Sequence, residues 1–487
     1  MKIQTIEINN YKAFHGNYKI KVGGKNLFIY GENGSGKSSL YYALKDFFQA
    51  SFEDIDLNEL ENIFLPDNKK GNAGIKVSFK PDKDGQKKTQ NYQFSASATS
   101  KRSTTDTCIR DANKLKSFIT YKHLLAIHHL KKDNNIDLFD LLVNGVLKHF
   151  KYSLTNNKEL GELWHEVKDS IAKESGRDFP INKKKNEVNA SIKAFNEAFG
   201  ELFKENSAEF ILKHAKPILD RFNHNIELKL LFSQIRPNEE YSALEGKHKV
   251  HIDVKYAGKP VENPHMFLNE ARLSAIAISI YLGMIKRHIQ LIPCKILFLD
   301  DIFVGLDIAN RLPLLTILKS EFPDYQIFIT TYDKPWFEYA KSFLDGQPGW
   351  KTMEFYAQLT NKGFEIPCIF DDQDLLTRAE AHHGNADYKA AAVYTRSAFE
   401  KIVREHCAEK RKKVVFKLKQ KTYTSEDFWN VIKGDLPVHI KTDVEQYRDL
   451  VMNAFSHYNT EKHEIGTELT SAIQAIKTLK VELGKLI

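Results

Sequence analysis

Cysteine is scarce in this chain: Cys108, Cys294, Cys368 and Cys407 are the only four among 487 residues. They are far apart and none forms a CxxC pair, so neither a disulfide framework nor a thiolate zinc site organises the fold. None of the eighteen histidines stands in an HExxH spacing, which excludes the zinc-peptidase pattern. No apolar run reaches the roughly 18 residues of a membrane-spanning helix. The opening "MKIQTIEINN" is no secretory leader. The chain therefore reads as cytoplasmic, with no membrane partner. Charge of one sign is not in marked excess either: 71 basic against 63 acidic residues gives a net +8. That balance permits nucleic-acid contact without arguing for it. What remains, 42 % hydrophobic residues over this length, is enough for a folded protein of two or three domains.

One stretch has more glycine than a stiff chain would carry. "LFIYGENGSGKSSLYYALKDFF" begins as a short buried strand at 27–30 and ends as a helix over 38–48, with apolar groups at Leu40, Leu44, Phe47 and Phe48. Between them Gly31, Gly36, Lys37 and Ser38 fit G-x-x-x-x-G-K-[ST]. Strand, glycine loop and helix is the context of a phosphate-binding loop. Glycines let backbone N–H groups curl around phosphate oxygens, and the helix start adds a positive dipole end. The loop is expected to cradle ATP through Gly31, Asn33, Gly34, Gly36, Lys37, Ser38 and Ser39. Lys37 would reach the β- and γ-phosphates, and the Ser38 hydroxyl would ligate Mg2+.

"KILFLDDIFVGLD", residues 295–307, is an apolar strand ending in two aspartates, the pattern of a strand buried on both faces. Asp300 is the expected Mg2+ partner, and Asp301 the expected group that orients or deprotonates water. More than 250 residues separate this strand from the phosphate loop, an unusual spacing for a phosphate-loop NTPase.

With these pieces in order, "IEINNYKAFHGNYKIKV…LFIYGENGSGKSSL" resembles the start of ABC-class ATPase heads of the SMC and RecF kind. The resemblance covers about residues 1–150 and 240–345. It implies an α/β head with a helical arm insertion. In such heads the chain leaves the nucleotide lobe, crosses the arm, and returns with a signature motif, the acidic strand, a D-loop and a switch residue. "FLNEARLSAIAISIYLGMI" (267–285) stands where the signature and its helix belong, Gly305–Asp307 resembles the D-loop, and "YQIFITTYD" (325–333) the switch strand. The resemblance assigns Asn269 and Asp307 to nucleotide contact and Tyr332 to the switch position. This sequence departs from the usual pattern. Asn269 replaces a serine, Arg272 adds a cation, Asp301 replaces glutamate, Tyr332 replaces histidine, and Tyr121 or Lys122 stands where a glutamine is usual. Those departures imply slow or gated hydrolysis.

The expected organisation is an N-terminal lobe at 1–150, a helical arm at 151–235, a C-terminal lobe at 236–372 and an all-α domain at 373–487. The arm pattern breaks at "GRDFPIN" (176–182). It fits a compact helical subdomain or a projecting hairpin, with Lys183–Lys185 as a solvated face or a phosphate contact. A hairpin is expected over 75–95, with Asp84-Gly85 near its tip.

In the C-terminal part, Arg396 and Glu400 share one helix face, as do Asn453 and His457, with Arg448 upstream. The helical pattern is similar to the HEPN class, whose nuclease members cut RNA, and R-x-x-x-E is similar to anticodon nucleases that carry an ABC-type head. The resemblance would make His457 a general acid/base and Arg396 a phosphate contact. The plainer reading is an i,i+4 ion pair and a structural histidine in a dimerisation or docking domain. The basic stretch Lys410–Lys413, with Lys417, Lys419, Lys421 and Phe416, suits either RNA or a solvated loop.

The resemblance implies an ATP-binding and hydrolysing head, paired with a second copy of itself, and, because compact heads of this kind with an appended domain occur in bacterial anti-phage defence, one that senses and holds a separate toxin or nuclease. The alternatives are a self-contained RNase acting on tRNA, and a RecF-like DNA-repair ATPase acting on DNA.

Overall fold

A computed structural model describes the chain except residues 81–88, 124–136, 153–157, 177–179, 247–249, 288–291, 345–348, 372–374, 416, 418–422, 449–465 and 486–487. The chain divides into two compact units, Met1–Ile369 and Phe370–Ile487.

Among the described residues, the first unit holds three sheets. β1 (Lys2–Asn9), β2 (Asn17–Lys21), β4 (Gly74–Lys80) and β5 (Gln90–Ser95) form an antiparallel sheet in the order β2-β1-β4-β5. The expected hairpin over 75–95 is β4–β5; its Asp84-Gly85 tip lies outside the described residues. A six-stranded sheet uses β3 (Asn26–Gly31), β6 (Phe118–Thr120), β10 (Ile296–Asp300), β11 (Gln326–Thr331), β12 (Trp350–Leu359) and β13 (Glu365–Asp371), in the order β13-β12-β3-β11-β10-β6. From β12 to β6 every pairing is parallel. A small antiparallel sheet joins β7 (Ile226–Phe232), β8 (Val250–Tyr256) and β9 (Lys259–Val261).

Parallel strands covered on both faces read as continuous apolar runs, and β3, β10 and β11 are buried almost throughout. The period of two then sorts each strand between two cores. Ile296, Phe298 and Phe328 join Leu40, Leu44 and Phe48 of the helix Lys37–Gln49, together with the antiparallel sheet. Leu297, Leu299, Ile327 and Ile329 face the helix Glu270–Arg287 and the insertion. Phe298 stacks on Phe328 and meets Tyr41 of the phosphate-loop helix edge-on at 5.3 Å. Buried aromatics of this size each contribute about 2–3 kcal/mol. Fully buried Gln326 accepts from the Ile3 N–H and donates to the Ile3 and Lys25 carbonyls, which ties β1 to the end of β11.

The insertion is the compact alternative. Its helices Leu160–Ala172 and Ile181–Glu201 place Trp164, Val188, Phe195 and Phe199 in the same core as β10 and β11. Lys184 of the basic run is buried rather than solvated. One expectation is corrected: Ile226–Phe232 is a strand and no part of a helical arm. "IELKLLF" alternates burial with period two, and its pairing with β8 outweighs the helical pattern before it.

Past the end of β13, the regular elements among the described residues of the second unit are helical: Leu375–Gly384, Tyr388–Glu409, Ser425–Ile432, Val438–Tyr447 and Gly466–Lys485 surround a core that includes Phe399, Trp429, Ile476 and Leu479.

The helix Glu270–Arg287 passes the insertion helix Leu212–Asp220 at a glycine: a Cβ on Gly283 would lie 2.7 Å from the Ala215 backbone. Backbone cannot yield as a side chain can. Gly283→Ala is therefore expected to destabilise the protein by at least about 1 kcal/mol, even after the gain in helix propensity. A thermal melt checks this; an unchanged or higher Tm would contradict the close packing.

Candidate nucleotide site

The glycine loop leaves the end of β3 and enters the helix Lys37–Gln49. Gly34 and Gly36 hold φ of +84° and +93°, the left-handed region where a side chain is strained. Space excludes a side chain too. A Cβ on Gly31 would come within 2.4 Å of Ser35 Oγ, and one on Gly36 within 2.6 Å of Pro367 Cγ. The loop is a tight backbone cradle. Lys37 is buried, and its ammonium donates to the carbonyls of Gly31 (2.7 Å) and Glu32 (3.1 Å). Burial lowers its pKa, and Asp301 and Asp300 partly oppose that. Ser39 Oγ accepts from the Ala13 N–H at 3.3 Å and anchors the helix start.

Parallel strands deliver both acids to the same end of the sheet. The Ser38 hydroxyl donates to Asp300 Oδ2 at 3.1 Å, across 262 residues of sequence. Thr330, the penultimate residue of β11, donates to Asp300 Oδ1 at 2.7 Å and accepts from the Asp301 N–H at 3.0 Å. Burial raises the Asp300 pKa. Asp301 sits in the left-handed region at φ +51°, which turns its side chain out of the strand register. Its pKa is pushed up to about 6, by burial first and by the neighbouring Asp300 charge, against Lys37 and a backbone hydrogen bond from Tyr332. Asp301 Oδ1 is buried and has no hydrogen-bond partner among the described residues.

This donor set fits Mg2+. Ser38 and Asp300 offer hard oxygens side by side, and Asp301, with its partnerless Oδ1, is the next residue of the chain. No three His, Cys, Asp or Glu side chains gather as a metal cage among the described residues. That suits an ion held mostly by phosphate oxygens and water.

A second group gathers the remaining head residues. Asn269 is exposed, and its Oδ1 accepts from the Arg272 N–H at 3.0 Å, capping the helix Glu270–Arg287. Arg272 donates to the Tyr256 hydroxyl at 2.9 Å. The Ser274 hydroxyl reaches the Gly305 carbonyl at 3.2 Å. Asp307 caps the helix Ile308–Glu321 through the Asn310 N–H. Arg311 holds the Leu306 carbonyl at 2.7 Å and Asp333 at 2.6 Å, which fastens the D-loop to the residue after Tyr332. Tyr332 itself is exposed.

Sequence reasoning passed over Thr330 and Pro367. A polar residue inside the buried run "QIFITT" was the available signal for Thr330; nothing local marks Pro367. Lys122 acts electrostatically on Asp300.

In the helical unit, Arg396 and Glu400 form the i,i+4 ion pair, 3.0 Å apart. Arg448 pairs with Glu426. Asn453 and His457 lie outside the described residues.

Residues 2–347 match the family described as the RecF/RecN/SMC N terminal domain. Among solved structures, the Smc head domain of Pyrococcus furiosus, crystallised with an extended coiled coil and the C-terminal domain of ScpA, is similar at 15 % identity and TM-score 0.45, over 78 % of this chain and 99 % of that one. The SMC head domain of Thermotoga maritima is similar at 11 % identity and TM-score 0.36, over 77 % of this chain and 100 % of that one. No curated protein matches.

The raised Asp301 pKa makes a stability prediction. The folded state holds this proton more tightly than an unfolded aspartate near 3.9 does, so its ionisation costs stability as pH rises from about 4 to 6. Asp301→Asn, tolerated in the left-handed region, should raise the Tm of ligand-free protein above pH 6 by the equivalent of about 1–2 kcal/mol. The gain should shrink toward pH 4. A gain independent of pH would contradict the assigned ionisation.

Proposed function

We propose a function for a chain that belongs to the RecF/RecN/SMC N-terminal domain family: a gated ATPase head that pairs with a second copy of itself. The observation that carries this reading is the Ser38–Asp300 hydrogen bond, which sets the phosphate loop and the acidic strand in one site beside Lys37. In this reading the loop amides and Lys37 hold the β- and γ-phosphates. Ser38 and Asp300 hold Mg2+, which when bound neutralises phosphate charge. Asp301 accepts a proton from the attacking water, and its partnerless oxygen leaves it open to do so. Its side chain, one methylene shorter than the usual glutamate, supports slow turnover.

The pairing is supported by what surrounds the second group. Met266 and Phe267 precede the signature, Val304 and Ile308 flank the D-loop, and Tyr332 ends the switch strand; all five are exposed. Apolar groups so placed suit burial against another head. Asn269, Asp307 and Tyr332 would then act on the partner's nucleotide.

The wider reading is a sensor or scaffold that holds and releases a toxin or nuclease in anti-phage defence. It is supported by the union of this head with a separate helical unit. The Arg396–Glu400 ion pair, formed along one helix face, is a structural use of those two side chains and supports docking over RNA cleavage for that unit. Total RNA from cells made toxic by the system should stay intact whether residue 457 is His or Ala. RNA fragments lost in His457→Ala would establish the nuclease instead.

Lys37→Ala should abolish ATP binding. Asp301→Ala should keep binding, stop turnover and, with ATP and Mg2+, shift the protein to dimers or multiples of dimers in light scattering. Normal turnover by Asp301→Ala, or a strict monomer at micromolar protein and saturating ATP, would overturn the corresponding step.

A further inference from the structure

We infer that His224, in the insertion, is a positioning residue for the trans-acting D-loop: it fixes Asp307 through Asn310 and makes turnover answer to the insertion. The inference rests on the ATPase reading above.

His224 occupies the turn between the insertion helix Leu212–Asp220 and β7. The turn is held in an unusual shape. Asn223 and Asn225, on either side of the histidine, both adopt left-handed backbone at φ +55° and +53°, a conformation asparagine tolerates better than most residues. The Asn225 carbonyl accepts from the Ala257 N–H at 3.0 Å, which pins the turn to the small sheet.

From this turn two side chains reach the helix that follows the D-loop, Ile308–Glu321. Arg221 takes its C-terminal end, pairing with Glu321 at 2.5 Å and donating to the Ser320 hydroxyl at 3.1 Å. His224 takes its N-terminal end, with Nε2 2.5 Å from Asn310 Oδ1. Asn310 is buried, and its Nδ2 donates to Asp307 Oδ1 at 2.6 Å while its backbone N–H donates to the same oxygen at 3.1 Å.

The directions of these bonds follow from the acceptor. Asp307 is a carboxylate and only accepts, so Asn310 presents its amide nitrogen there and its oxygen to the histidine. His224 Nε2 must then carry a proton. Its Nδ1 is buried with no hydrogen-bond partner among the described residues, and Arg272 of the signature segment acts on the ring as a neighbouring positive charge. Burial of a second ring proton without an acceptor, together with the Arg272 charge, outweighs the Asn310 hydrogen bond and the Asp307 charge that would favour it, so the ring stays neutral. The result is one directed chain, His224 to Asn310 to Asp307, running from the insertion into the D-loop. No group in it needs to touch nucleotide in its own protomer. What it sets is the direction of the Asp307 carboxylate and the start of the helix behind it.

The test compares His224→Phe, which keeps an aromatic ring without the donor, with His224→Gln, whose amide can donate to Asn310 again. In the full-length protein, His224→Phe should lower ATP turnover about tenfold and leave the affinity for Mg2+ and ATP unchanged, because the phosphate loop is untouched. His224→Gln should restore most of the loss. Asn310→Ala should cost a similar factor, and the His224→Phe, Asn310→Ala double variant should be little worse than either alone, as residues in one chain are not additive. Full turnover in His224→Phe, failure of glutamine to rescue, or additive losses would each overturn the inference. If the unmodified protein binds but does not turn over ATP, the hydrolytic reading fails by itself. The chain is then read by hydrogen exchange at residues 307–311. Faster exchange in His224→Phe but not His224→Gln supports it, and unchanged exchange overturns it.

Discussion

The Ser38–Asp300 hydrogen bond is the point on which the first unit turns. Its partners are 262 residues apart in sequence. Asp300 ends β10, and Ser38 opens the helix that the glycine loop joins to β3, so the bond exists only if β3, β11 and β10 lie side by side in register. Thr330 makes the dependence stricter, because it comes from the strand between them and bonds both aspartates. The geometry of the site is therefore a readout of sheet assembly. The aromatic stack Phe118–Phe298–Phe328 and the Gln326 clamp stabilise the fold and hold the site by the same contacts.

A site built this way stores unfavourable electrostatics. Two carboxylates and an ammonium are buried together, and burial moves all three toward neutrality. Bound phosphate and a divalent ion would supply the charges that this arrangement lacks. Those charges would offset the cost of burying these three groups together. Asn269 and Asp307 are used locally as helix caps, which fixes their direction; on the proposed pairing, Asn269 Nδ2 and the exposed surface around both would face a second head.

The phosphate loop and the acidic strand were legible because each obeys a local rule: glycine where the backbone turns left-handed, and an unbroken apolar run where both faces are covered. The family's motif order then placed Asn269, Asp307 and Tyr332. What could not be read depends on distant partners. Thr330 is one polar residue in an apolar strand until its neighbours are known. Pro367 lies against Gly36 only through the path of β13, and His224 through a turn more than eighty residues from Asn310. The strand at 226–232 was missed because a long helical pattern ran into it. Its alternation, seven residues long, is the signal that should have ended that reading. In the helical unit, spacing alone found the Arg396–Glu400 pair, which shows a shared face and no more.

The central claim is that loop and acidic strand together bind ATP with Mg2+. Calorimetric titration of ATP into the unmodified protein and Ser38→Ala, each with Mg2+ and with EDTA, tests it directly. The account predicts that Mg2+ tightens binding by about tenfold or more in the unmodified protein, equivalent to roughly 1.4 kcal/mol, and that Ser38→Ala loses most of this dependence. Equal Mg2+ dependence in both proteins would contradict it.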